Sequence, residues 1–228
     1  MEERPHKEYI NEFFLGNVEG SYSRGELYNY DPVTGDARFC GTCGSMCGIE
    51  DALETQDEGK LSEAIERILM LHAYMFTQSG IPVIYSGDEI GQLNDNEYTL
   101  IPEKAPDSRY IHRGKFQWDM ADKVKKAGSV QERLFSSLHE LEEIRKKETV
   151  FMTDADCYTV DVHNDSVLVI GREYNNEKMI GIFNFSRKET IVDLKENEIT
   201  YIDLVKKSDM KAGKLTMKGN SFFWLKRA

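Results

Sequence analysis

No run of apolar residues in this sequence approaches the roughly 18 that a membrane-spanning helix needs. The opening stretch, MEERPHKEYINEFF, is charged and not apolar, so it does not read as a secretory leader. Positive charge is also short: 29 Lys and Arg stand against 40 Asp and Glu, a formal net charge of −11. An acidic balance of that size excludes duplex nucleic acid and an anionic membrane as expected partners. A neutral ligand such as a sugar suits it. Cysteine is scarce, four in 228 residues, and the expected location is cytoplasmic, where those thiols stay reduced. There is no internal repeat and no low-complexity segment. What is present, 40 % hydrophobic residues over this length, is enough to bury a sizeable core.

Three of the four cysteines, Cys40, Cys43 and Cys47, fall in RFCGTCGSMCG at C-x2-C-x3-C spacing. Zinc and iron–sulfur sites take four ligands as a rule, and a fourth is missing nearby. Cys157 lies far downstream in a β-rich region, and His72 sits on the apolar stripe of a predicted helix. Positions i, i+3 and i+7 share one helix face, so the expectation is packing of small apolar side chains and not a metal site.

Residues 1 to 38 are aromatic and rich in turn formers (Gly20, Gly25, Pro32, Gly35), which predicts an irregular excursion. Leu61, Ile65, Ile68, Leu69, His72 and Met75 recur at three-to-four spacing and predict a helix over 59–79. IPVIYS (81–86) reads as a short strand buried on both faces. A long Asp-, Asn-, Pro- and Tyr-rich loop follows to about Gly128. SVQE (129–132) then opens a second helix through Leu134, Leu138, Leu141 and Ile144 as a capping box. From about residue 150 the period changes to two. Seven strand-like runs, from CYTVDV to SFFWLKR, predict an antiparallel β-sandwich.

SGIPVIYSGDEIG (79–91) resembles the eighth barrel strand of the α-amylase superfamily of glycoside hydrolases. LNDNEYT…PEKAPDSRYIHR (93–113) resembles the loop that follows in amylosucrases. INEFFLGNVEGSYSRGELYNYDPVTGDARFCGT resembles their insertion after the seventh strand, and GNSFFWLKR the last strand of their C-terminal β domain. Pro106 and Lys7 depart from that pattern.

The fold class the resemblance implies is α/β plus all-β: the end of a (β/α)8 TIM barrel followed by an antiparallel β-sandwich C-terminal domain. Residues 1–40 would be the insertion after barrel strand 7, 41–149 the C-terminal part of the barrel, and 150–228 the β-sandwich. The implied intact enzyme is a glycosidase or transglucosidase acting on sucrose or an α-glucan through a covalent glucosyl intermediate. That chemistry needs two carboxylates about 5–5.5 Å apart, and the resemblance implies no metal and no cofactor. The family's stand on earlier barrel strands, with a third carboxylate in a His-Asp pair, and this chain has no His-Asp pair.

Asp88 and Glu89 are neighbours at a strand end and point to opposite sides, so they do not substitute. No catalytic residue is therefore assigned, and the chain alone is expected to be inactive. Substrate binding is implied for Arg109, the family arginine that closes the floor of the glucosyl pocket by pairing with an acidic residue. It is also implied for Arg38, an acceptor contact, although a pair with Asp36 or Asp31 is equally open. Asp107 would orient Arg109. The expected partners are a sugar or α-glucan and the missing N-terminal part of the barrel, with self-association of the exposed apolar faces. The alternative is a non-catalytic carbohydrate-binding or assembly module.

Overall fold

Helix α1 (Glu3–Leu15) opens the chain where the composition predicts irregular structure. The turn formers begin only at Gly16. Before them an Arg4–Glu8 pair one turn apart supports the helix. Its end is anchored by aromatic packing, with the Phe13 ring 5.6 Å from Phe14 and 5.2 Å from Tyr22, both edge-on. Buried Asn11 donates its amide to the Gly35 carbonyl at 2.9 Å and ties the following turns to the helix.

This computed structural model describes residues 3–195 and 199–228. The chain divides into two compact units, Met1–Ile68 with Ile84–Phe135, and Leu69–Val83 with Ser136–Ala228. Among the described residues, no helix is long and apolar enough to cross a membrane.

In the first unit, α1 is followed by the antiparallel pair β1 (Glu26–Tyr28) and β2 (Arg38–Cys40). Two short helices come next, α2 (Cys43–Met46) and α3 (Ile49–Thr55). The three cysteines do not share a helix face. Cys40 ends β2, Gly41 intervenes, and Thr42 caps α2 by accepting from Ser45 N, so only Cys43 and Cys47 lie on helical turns. Cys40 packs with Tyr98 and Ile111, and Cys47 is also buried. Cys43 and Cys47 stand with their sulfurs 3.9 Å apart.

Helix α4 (Glu58–Thr77) matches the 59–79 prediction. Leu61, Ala64, Ile65 and Ile68 are buried in its first half, and Met70, Ala73 and Phe76 in its second. His72 is buried too, its ring edge-on to Phe76.

Residues 81–86 are not the doubly buried strand the apolar run predicts. They are in no sheet, and Ile81, Val83 and Tyr85 are 87 %, 75 % and 54 % exposed. A lone strand leaves its ladder unpaired, and no strand among the described residues runs beside this one. The barrel end is accordingly not seen. Asp88 and Glu89 lie on a 3-10 turn, Asp88–Ile90, between Gly87 (φ +102°) and Gly91 (φ +62°). Those two left-handed positions favour glycine, and the Glu89 carboxylate accepts from Gly87 N at 2.8 Å.

The loop beyond is built from short turns, including 3-10 segments Asn96–Leu100 and Ser108–His112, and from α5 (Trp118–Ala121). Helix α6 (Val130–Lys147) then begins at the predicted cap. Ser129 Oγ accepts from Glu132 N at 3.1 Å, while the Glu132 carboxylate reaches one residue further back than a capping box requires, to Gly128 N.

The second unit adds eight strands: β3 (Asp156–Val160), β4 (Val167–Tyr174), β5 (Glu177–Asn184), β6 (Thr190–Asp193), β7 (Thr200–Asp203), β8 (Ser208–Lys211), β9 (Lys214–Met217) and β10 (Ser221–Arg227). Six form one antiparallel sheet in the order β3-β4-β5-β10-β7-β8, and β6 pairs with β9 in a second. Seven correspond to the predicted runs. The eighth, β8, is the polar edge segment SDMK. Val169, Ile182, Val192, Leu215, Met217 and Leu225 bring residues of both sheets into one core. On the opposite face of the large sheet lie Arg172, Phe183 and Trp224. Trp224 Nε1 donates to Thr77 Oγ1 at 2.9 Å, and its ring lies 5.0 Å from Phe151.

Candidate functional site

The aspartate in APDSRY sets the site's local geometry. Asp107 caps the Ser108–His112 turn by accepting from Arg109 N at 3.0 Å. The same carboxylate takes the Arg109 side chain, Nε at 2.8 Å and Nη2 at 2.7 Å. Two residues of a tight turn thus form a two-pronged pair with no help from elsewhere in the chain. The guanidinium beside it holds the Asp107 carboxyl down at about 2, and the pair raises the Arg109 value in turn. Nη1 of Arg109 makes no hydrogen bond among the described residues.

The turn is docked on the β1–β2 pair. Ser108 Oγ donates to the Leu27 carbonyl at 2.8 Å, which seats the Arg109 guanidinium 4.4 Å from the centre of the Tyr28 ring. Arg38 is directly opposite Tyr28 in the hairpin register. Opposed residues of an antiparallel pair project to the same face, so Arg38 shares the hairpin face of the Tyr28 ring on which Arg109 sits. The structure therefore brings Arg109, Asp107 and Arg38 into one neighbourhood. The Arg38 pair with Asp36 or Asp31 left open by the sequence is not formed. Asp36 binds Lys7 at 2.9 Å, and Asp31 accepts from Val33 N at 2.8 Å within its own turn. Arg38 itself is exposed.

Beneath this surface, side chains from distant segments fix the position of the loop. Asn94 donates to the Arg24 carbonyl at 2.6 Å and accepts from Thr42 N at 2.8 Å, while its own N–H reaches Ser45 Oγ at 2.9 Å. Tyr98 donates its hydroxyl to Glu26, and burial followed by that carboxylate pushes the phenol well up. Asp51, buried, accepts from Arg24 Nη2 at 2.5 Å and Lys60 Nζ at 2.9 Å. Sequence reasoning missed Tyr28, Asn94 and Tyr98. Asn94 stands inside the quoted LND motif, and that motif is the one signal that pointed to it.

One pH prediction follows from the pair. Asp107 has its folded value below its ordinary one, so its stabilising contribution is present above the ordinary carboxyl range and is lost as pH falls through about 2. Carboxyl-detected NMR should place the Asp107 midpoint near 2. In Arg109→Gln it should return toward the ordinary Asp value, and an unchanged midpoint would refute the pairing.

No protein-family model matches the chain. Glucosylglycerate phosphorylase of Escherichia coli (strain K12) is 25 % identical over 178 residues, covering 77 % of this chain and 31 % of that protein. Among solved structures, the trehalulose synthase MutB from Pseudomonas mesoacidophila matches with TM-score 0.55 and 19 % identity, over 72 % of this chain and 38 % of that one. AmyP in complex with maltose matches with TM-score 0.58 and 14 % identity, over 72 % and 35 %. The structural likenesses are likenesses of fold. The chain spans about a third of the length of each of these relatives.

Proposed function

We propose that this chain, a member of the α-amylase superfamily resembling a C-terminal portion of those enzymes, supplies sugar-facing residues to an amylosucrase-like glycosidase or transglucosidase. The observation that carries the reading is the Arg109–Asp107 pair seated on Tyr28, with Arg38 across the hairpin. Arg109 presents its remaining Nη1 edge to a second carboxylate or a sugar hydroxyl. Tyr28 and Asp107 hold the guanidinium plane in place, so the donor geometry exists before a ligand arrives. Arg38, exposed on β2, contributes planar donors to an acceptor sugar.

The enzyme so completed takes glucosyl from sucrose, or from an α-glucan, by a retaining double displacement. One carboxylate attacks the anomeric carbon as the glycosidic bond breaks and a second protonates the departing oxygen. The acceptor hydroxyl then displaces the carboxylate, returning its proton to the second group. Both carboxylates belong to barrel strands outside this chain's motifs, so the chain alone turns nothing over. Residues 81–86 would be the eighth barrel strand, paired only when the rest of the barrel is beside them.

The exposed Ile81, Val83 and Tyr85 favour a second reading, a non-catalytic module that completes a partner chain or self-associates. Mixing the chain with an amylosucrase barrel portion that carries the carboxylates separates the two. Sucrose turnover that appears on mixing and falls at least about 100-fold with Arg109→Ala is the expected result. Association without turnover favours the module. Turnover by the chain alone overturns the proposal.

A further inference from the structure

The long loop also walls a cleft of about 710 Å³ in the first unit, within the size range of small-molecule sites. Its charge runs against that of the chain. Lys104, Arg113 and Lys115 line it, and none of the three forms a salt bridge among the described residues. Lys104 Nζ and Arg113 Cζ stand 5.4 and 5.8 Å from the centre of the same Tyr110 ring. Two carboxylates also line it. Asp95 is engaged, accepting from Glu97 N at 3.2 Å, and Glu97 is exposed. The lining therefore carries three positive and two negative side chains, a surplus of one cation in a protein of net charge −11.

The walls are fixed. Buried Gln92 donates to the Lys115 carbonyl at 3.2 Å and accepts from Gln117 N at 3.1 Å, pinning the segment that carries Lys115 and Phe116. Asp95 N donates to the Ile111 carbonyl at 2.8 Å and joins the cleft's two sides. His112, next to Arg113, has a buried Nδ1 with no hydrogen-bond partner, and its value is lowered by burial and then by Arg113 and Arg109.

We propose that this cleft binds a phosphate group, held by Lys104, Arg113 and Lys115, with the body of a phosphorylated sugar against Phe116 and the side-chain amide of Gln117. An arginine fork with two ammonium groups suits a tetrahedral dianion. The volume exceeds what free phosphate fills, and the apolar wall at Phe116 is wasted on an ion. Neither Arg109 nor Tyr28 lines this cleft, and the inference does not depend on the transglucosidase reading.

The test is calorimetric titration of the full chain, in phosphate-free buffer, with glucose 1-phosphate, inorganic phosphate and glucose. Circular dichroism checks that each variant is folded. Glucose 1-phosphate should bind, should weaken as salt is raised, and should lose at least about tenfold in affinity in Arg113→Gln and in Lys104→Gln. Glucose should not bind comparably. Inorganic phosphate binding as tightly as the ester would assign the site to the free ion. Binding indifferent to salt and to both substitutions, equal binding of glucose, or no saturable binding of any of the three would overturn the proposal.

Discussion

Replacing Arg172 by alanine is expected to destabilise the second unit by about 4 kcal/mol, a large share of an ordinary domain's stability. Arg172 is fully buried on β4 and has no carboxylate partner among the described residues. Its three nitrogens go to the Val150 carbonyl at 2.9 Å, the Met152 carbonyl at 2.8 Å and Ser79 Oγ at 3.0 Å. A buried cation held by neutral acceptors is costly to place, and its loss leaves two carbonyls without their donor. Arg172→Met keeps most of the volume and loses the donors, so it should fall between wild type and alanine. Urea unfolding followed by Trp224 emission, in a Trp118→Phe background, reads this unit alone. That matters because a chain of two units need not unfold in one step. A loss below about 1 kcal/mol would mean that the carbonyls find water or new donors.

Trp224→Ala should cost about 3–5 kcal/mol, the range for removing a large aromatic from a core. Trp224 has no exposed surface, contacts Phe151 and Phe222 through its ring, and donates to Thr77. Thr77 Oγ1 also donates to the Ala73 carbonyl at 2.8 Å, so Trp224→Phe leaves that hydroxyl partnered. The phenylalanine variant should therefore lose only about 1 kcal/mol for the hydrogen bond, plus a small packing deficit. Since alanine removes the natural probe, both variants are compared by thermal unfolding in far-ultraviolet circular dichroism. Equal losses in the two would place the stabilisation in the hydrogen bond and not in the ring.

Strand alternation made most of the second unit legible, because inward and outward residues there differ sharply in polarity. SFFWLKR shows this, with Phe223 and Leu225 on the core between the sheets and Trp224 on the other face. SDMK escaped because an exposed edge strand needs no apolar pattern to form. IPVIYS misled for the opposite reason. Its composition records burial on two faces, and burial needs neighbours that local sequence does not supply. Helix α1 was hidden by the turn formers downstream of it. At the site, the Asp107–Arg109 pair is local, two residues apart, and could be read from the motif. Tyr28 beneath Arg109 could not, since 81 residues separate Ser108 from the Leu27 carbonyl that docks the turn.

The order β3-β4-β5-β10-β7-β8 has a kinetic consequence. Residues 221–227 lie between β5 and β7, so the β7–β8 hairpin has no place on the growing sheet until β10 is available. The β3–β5 meander can assemble from neighbours in sequence, whereas closure needs a contact across the intervening 36 residues between Asn184 and Ser221. Refolding of this unit should be limited by that late insertion, on the millisecond-to-second scale of β topologies rich in non-local pairs. During the wait, β5 offers an open hydrogen-bonding edge next to its apolar core residues.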